Sequence, residues 1–266
     1  MGKSFLTFIL VLSAMAVLFL ACGDDSSTES NRDTEFAAQI FEASAQLAVQ
    51  YISGYLEDGV DIFDGGVYNV VDSTEDSTFV YDPNNHWWTY SYSSSVNQGA
   101  YSLIYVFRDT VRISANGNYQ EEPDDSTDLI EYSAYHKVVY DYAEGIDDSV
   151  AYCMSGIYGG TAGDTLLLNG TFIYDQHYNA GSYEFDVQFD GGYSNFHLIN
   201  EIEPGEYDVL SGDLDADLYL SLSGDTLTEE QLGEFDGNLY VTVYDTMYQA
   251  VFVIEGDSYT VYGDTI

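Results

Sequence analysis

From about Val67 to the C-terminus, apolar and polar side chains alternate one for one, and that rhythm admits little except β-structure. Leu214, Ala216, Leu218, Leu220 and Leu222 interleave with Asp213, Asp215, Asp217, Tyr219, Ser221 and Ser223. Tyr183, Phe185, Val187 and Phe189 interleave with Glu184, Asp186, Gln188 and Asp190, and Leu239, Val241 and Val243 with Asn238, Tyr240, Thr242 and Tyr244. Successive side chains of an extended strand point to opposite faces, so each such run has one buried and one wet face. The abundance of Tyr, Phe, Val and Thr suits a pleated surface. Asp190-Gly191-Gly192 and Glu255-Gly256-Asp257-Ser258 read as hairpin turns, and Ser223-Gly224-Asp225 ends another strand. Pro83, Pro123 and Pro204 fall in loops, and the acidic insert Glu121–Asp128 is the clearest long one.

With no helices between the strands, the connections predict an antiparallel meander of about a dozen strands. A sheet that wide curls or closes, so the expected fold is mainly β: a barrel, a half-barrel or a sandwich. One N-terminal α-helix precedes it. Asp33 caps this helix, Glu35 sits in its first turn and Gly54 ends it. Its apolar stripe is Phe36, Ile40, Ala43, Leu47 and Tyr51, which should pack on the sheet. Thr228-Glu229-Glu230-Gln231 reads as a capping box opening a short helical turn. Gly159–Gly163 is the one candidate internal break, and no repeat spans it. Residues 33–266 are thus expected to form a single helix-plus-antiparallel-β domain.

The N-terminus has a different composition. Lys3 gives a short positive start, residues 5–20 are almost wholly apolar, Ala21-Cys22-Gly23 follows, and residues 24–30 are polar. This is the layout of a secretory signal. A retained transmembrane segment is the alternative, the run being near the lower length limit for spanning a bilayer. Leu18-Phe19-Leu20-Ala21-Cys22 resembles the lipobox of bacterial lipoproteins, with Phe19 where the family usually has Leu. The resemblance covers the leader alone. It implies a signal peptide over 1–21, diacylation of Cys22 on sulfur, and a lipidated flexible tether over 22–32. Gly23 stands where the family's inner-membrane retention signal carries Asp, which favours the outer membrane. The membrane is then a partner through the N-terminal lipid, and two or three acyl chains make such attachment durable.

Formal charge is −41, and beyond the leader only Arg32, Arg108, Arg112 and Lys137 are cationic. Nucleic acid is excluded as a partner, because no basic footprint exists to displace its counterions. The charge has three readings: solubility under salt screening, binding of divalent cations, or steering of a cationic partner. The chain has two cysteines. With Cys22 consumed by lipid, Cys153 is left without a disulfide partner, and its apolar strand-like surroundings suggest a small buried hydrophobe.

Three features invite a site. Asp58, Asp61 and Asp64, interleaved with Gly59, Gly65 and Gly66, form a loop whose oxygens would suit calcium, the one cofactor the motifs admit. Asp213, Asp215 and Asp217 look similar, but Leu218 stands where a calcium loop needs Gly, so they read as the acidic edge of a strand. In His86–Tyr92, Trp88, Tyr90 and Tyr92 share one strand face and Trp87 takes the other. Such a row stacks on sugars or apolar ligands, or packs in a core. His86, His136, His177 and His197 show no metal-ligand spacing. No nucleophile elbow or phosphate loop is present, and no catalytic residue is identified. The expected function is a lipid-anchored envelope protein that binds or carries an apolar or glycan ligand without catalysis. The alternatives are a structural or adhesive calcium-binding surface protein and, after that, a secreted hydrolase.

Overall fold

A computed structural model describes residues 33–43, 77–97, 99, 101–122, 124, 126–142, 146–159, 165–200, 207–244 and 247–264. Helix α1 covers 34–43. The strands are β1 (Ser77–Asp82), β2 (Trp87–Asn97), β3 (Tyr101–Ala115), β4 (Asn118–Gln120), β5 (Leu129–Tyr142), β6 (Ile146–Gly159), β7 (Thr165–Asn179), β8 (Tyr183–Asn200), β9 (Tyr207–Gly224), β10 (Gly233–Tyr244), β11 (Met247–Ile254) and β12 (Asp257–Asp264). All twelve belong to one antiparallel sheet in simple sequence order, with short β4 folded back on β3. β1 and β12 are its two edges, so the sheet is not closed into a barrel; a half-barrel or sandwich-like meander describes it.

The register brings one face of every strand into line. Leu103, Ile113, Tyr132, Ala134, Tyr140, Val150, Met154, Phe172, Tyr174, Val187, Phe189, Leu218, Leu220, Leu239, Phe252 and Ile254 are buried on it. α1 packs on this inner face, with Ala37, Ala38, Ile40 and Phe41 buried and the Phe41 ring 6.1 Å from that of Phe189. A helix of ten residues is only about 15 Å long, whereas a sheet eleven strands wide spans roughly 50 Å. α1 therefore overlies only part of the inner face, and the strands themselves pack closely.

Glycines on the inner face show that close packing. Gly156 and Gly170 are paired, and Tyr132 and Tyr193 flank them on β5 and β8. The two tyrosines lean inward over the glycines until their hydroxyls meet at 3.0 Å, and the Tyr193 hydroxyl donates to the Ser155 carbonyl at 3.0 Å. A Cβ on Gly170 would sit 2.1 Å from that carbonyl. Gly191 corrects the turn expected at Asp190-Gly191-Gly192: all three residues lie inside β8, paired with Asp217, Ala216 and Asp215. A Cβ on Gly191 would lie 2.1 Å from the Asp215 carbonyl, so glycine there answers to the close approach of β9 rather than to a change of direction.

The other turns follow the sequence. Glu255 (φ 50°) and Gly256 (φ 98°) form the two-residue hairpin between β11 and β12. Asp33 caps α1, its Oδ1 accepting from the Phe36 N–H at 2.9 Å. Residues 228–232 form a turn in which Gln231 Oε1 accepts from the Thr228 N–H, the reciprocal bond of a capping box, but no helix follows. The turn instead holds α1, since the Asp33 N–H donates to the Glu230 carbonyl and Gln231 Nε2 donates to Asp33 Oδ2. With Thr34 bonded to Asp257 and Tyr259 as well, the rotation of α1 is set by its first turn. The buried stripe is accordingly Ala37, Ile40 and Phe41, while Phe36 and Ala43 are half-buried. Leu47, Tyr51 and Gly54 lie outside the described residues, as do Cys22 and the whole leader. Among the described residues, no helix is long and apolar enough to cross a membrane.

Candidate functional site

The β1–β2 hairpin places the aromatic row. Asp82 Oδ1 accepts from the Asn84 N–H at 2.9 Å, the His86 N–H donates to the Asp82 carbonyl, and His86 takes φ 64°. The tight turn fixes Asp82 opposite Trp87, which sends Trp88, Tyr90 and Tyr92 to the inner face and Trp87 to the outer one. The three inner rings stand roughly 7 Å apart along β2, the two-residue repeat of a strand. All three are half-buried, unlike Phe185, Val187, Phe189, Leu218 and Leu220 on the inner face of β8 and β9. The row is continued by neighbours. Trp88 lies 4.9 Å from Tyr81, Tyr92 stacks on Phe107 at 5.8 Å, and Phe107 meets His136 edge-on at 4.3 Å. Trp88 Nε1 donates to the Glu121 carbonyl at 2.8 Å, which fixes the ring.

A polar chain runs beside this row. His136 Nε2 lies 2.8 Å from Asp109 Oδ1, and the Tyr152 hydroxyl lies 2.6 Å from His136 Nδ1. The tautomer protonated on Nε2 satisfies every group: Tyr152 donates to Nδ1 and the Nε2 proton goes to the carboxylate. Tyr90 is the next neighbour of Asp109. Burial, the Asp109 carboxylate and Tyr92 all raise its phenol above the ordinary value, so it stays a neutral hydrogen-bond donor. The arrangement offers flat aromatic faces with a carboxylate and phenols alongside, a combination suited to holding a hydroxylated ring.

Sequence reasoning identified the aromatic row and missed the polar chain. The signal was present: Asp109 and His136 each occupy a slot that the alternation of β3 and β5 reserves for apolar residues. Asp148 on β6 is a third such interruption. It is buried, its Oδ1 makes no hydrogen bond, and its carboxyl is pushed up to about 7 by burial, against a lowering by the Gln176 side chain and His177.

The remaining candidates separate. Asp58, Asp61 and Asp64 lie outside the described residues. Asp213, Asp215 and Asp217 are exposed on the outer face of β9, as a strand edge should be, and two are engaged by neighbours: Thr242 Oγ1 donates to Asp213 and Asn238 Nδ2 to Asp217. Cys153 is half-buried on the outer face of β6, between Tyr135 and Ile173, rather than in the core. Burial and the Asp175 carboxylate raise its thiol, the opposite of what a nucleophile needs. On the same outer face, Arg112 lies between the Trp87 and Tyr119 rings at 4.7 and 4.5 Å and makes a bidentate pair with Glu131. Trp87 is thus occupied by Arg112, whereas Trp88, Tyr90 and Tyr92 line the opposite face. Compared with family models, with curated proteins and with solved structures, the chain matches none.

Proposed function

We propose that this protein is a lipid-anchored binding module of the bacterial outer envelope, and that its inner aromatic row takes a neutral glycan. The observation that carries the reading is the half-buried row Trp88, Tyr90 and Tyr92 at one end of a sheet face that is largely buried from β5 to β11, with the Asp109–His136–Tyr152 chain beside it. Aromatic faces pack on the apolar faces of sugar rings, while a carboxylate and phenols meet their hydroxyls. A carboxylate and phenols can also take hydrogen bonds from a hydroxylated ligand, which a purely greasy one does not offer. Charge narrows the class further: at −41, the protein repels acidic polysaccharides and the carboxylates of fatty acids. Anchorage rests on the lipobox-like residues ending at Cys22. At the row, Asp109 is engaged by His136, which supports binding over hydrolysis.

Both tryptophans of the chain, Trp87 and Trp88, are at this hairpin, so intrinsic fluorescence is a local probe. Titration with neutral oligosaccharides of increasing length should change the emission, and Trp88→Ala should abolish binding in calorimetry. Trp87→Phe, on the outer face, should not. Equal binding by wild type and Trp88→Ala, or a response to fatty alcohols and none to any neutral glycan, would overturn the glycan reading.

A further inference from the structure

On the outer face of β7 and β8, away from the aromatic row, three metal-binding side chains converge. His177 and Asp186 are directly opposite in register, and Glu184 is two residues before Asp186 on the same strand face. His177 Nδ1 lies 2.7 Å from Asp186 Oδ1 and 3.9 Å from Glu184 Oε1, and one ligand atom from each residue falls within 4.8 Å of the others. We propose that His177, Glu184 and Asp186 form a surface site for a divalent transition-metal ion of the zinc class.

The geometry is close to what the ion needs: ligands about 2.0–2.1 Å from zinc in a tetrahedron stand roughly 3.4 Å from one another, so the observed 2.7 and 3.9 Å bracket the target and adjust by side-chain rotation alone. The frame is rigid, because the short β7–β8 turn is held by the Gly181 N–H donating to Asn179 Oδ1 at 2.7 Å and the Ala180 N–H donating to the Tyr183 carbonyl. The charge is unbalanced, since two carboxylates share one imidazole and no Lys or Arg is ion-paired with them among the described residues. The donor set selects, since imidazole with two carboxylates suits zinc, manganese or iron, whereas calcium and magnesium prefer oxygen alone. All three side chains are partly exposed, at 39%, 44% and 52%, so the remaining coordination positions face water. The protein's charge concentrates cations at its surface, which makes loading easier and also makes unspecific binding the competing explanation.

The test therefore saturates the general acidic surface with millimolar calcium. The full chain, stripped with chelator, is titrated with zinc by calorimetry and with cobalt by visible absorption. One zinc per chain should bind, with a cobalt d–d band. His177→Ala and Asp186→Asn should each weaken zinc at least about tenfold and abolish the band, while retaining the native circular dichroism. Asp213→Asn, on the same outer face but outside the cluster, should leave both unchanged. The proposal is overturned by the absence of calcium-resistant binding, or by zinc binding that His177→Ala and Asp186→Asn leave intact.

Discussion

Gly170→Ala is a single methyl group aimed at the tightest point of the sheet. Its Cβ would lie 2.1 Å from the Ser155 carbonyl of β6 and 2.2 Å from the Tyr193 hydroxyl. An ordinary carbon–oxygen contact needs about 3.4 Å, so over an ångström must be found, and backbone on one side cannot rotate away. Overpacking of this kind costs roughly 1–3 kcal/mol. Displacing the Tyr193 ring also breaks its bonds to Ser155 and Tyr132, each about 1 kcal/mol. The lower chain entropy of alanine returns about 0.5–1 kcal/mol. The net expectation is a loss of about 2–4 kcal/mol, or about 1 M in the urea midpoint for a slope near 3 kcal/mol/M. Gly192→Ala is the control: it lies on the outer face of the neighbouring strand, its nearest contact is 3.4 Å away, and it should be neutral or slightly stabilising. A cycle isolates the tyrosine. Gly156→Ala meets the Tyr193 hydroxyl first, at 2.4 Å, so its cost should shrink measurably in a Tyr193→Phe background. If Gly170→Ala and Gly192→Ala melt at the same urea concentration, the close strand approach read from these glycines is wrong.

The buried carboxyl of Asp148 gives a pH signature. Native Asp148 keeps its proton to about pH 7, whereas the unfolded side chain loses it near 4. Between those values the native state binds more protons, so stability falls as pH rises and the loss is complete above about 7. Asp148→Asn should therefore raise stability at pH 8 by an amount on the order of 4 kcal/mol and by almost nothing at pH 4, as read by urea melts at both. Asp33→Ala removes the cap of α1 and its bond from Gln231, and should cost about 1–2 kcal/mol with little change in far-UV signal. Cys153 should react slowly with thiol reagents at pH 7 and somewhat faster in Asp175→Asn, because burial first and the Asp175 carboxylate second hold the thiol up.

Period two was enough to place the strands, because it is a local property that each strand expresses by itself. β9 and β10 lie where the alternation put them, and of the inner positions it marked on β8, Phe185, Val187 and Phe189 are buried while Tyr183 is half-buried. What it could not distinguish is a glycine that turns the chain from one that lets two strands touch. Gly191 and Gly256 look alike in sequence, yet only Gly256 has positive φ. The difference lies in what stands opposite: Gly191 faces Ala216 across an unbroken ladder, and that partner is 25 positions away in the chain. The same limit explains the site. Trp88, Tyr90 and Tyr92 are legible because they are neighbours on one strand, but Asp109, His136 and Tyr152 come from three strands and meet only through register. Their trace in the sequence is a polar residue in an apolar slot, which the meander then turns into a contact. His177 and Asp186 are the intermediate case. They sit on either side of one short turn, so counting outward from Gly181 along the two strands pairs them, provided the turn is recognised. A simple up-and-down sheet makes this kind of inference tractable, because every polar interruption on one strand has only two candidate partner strands.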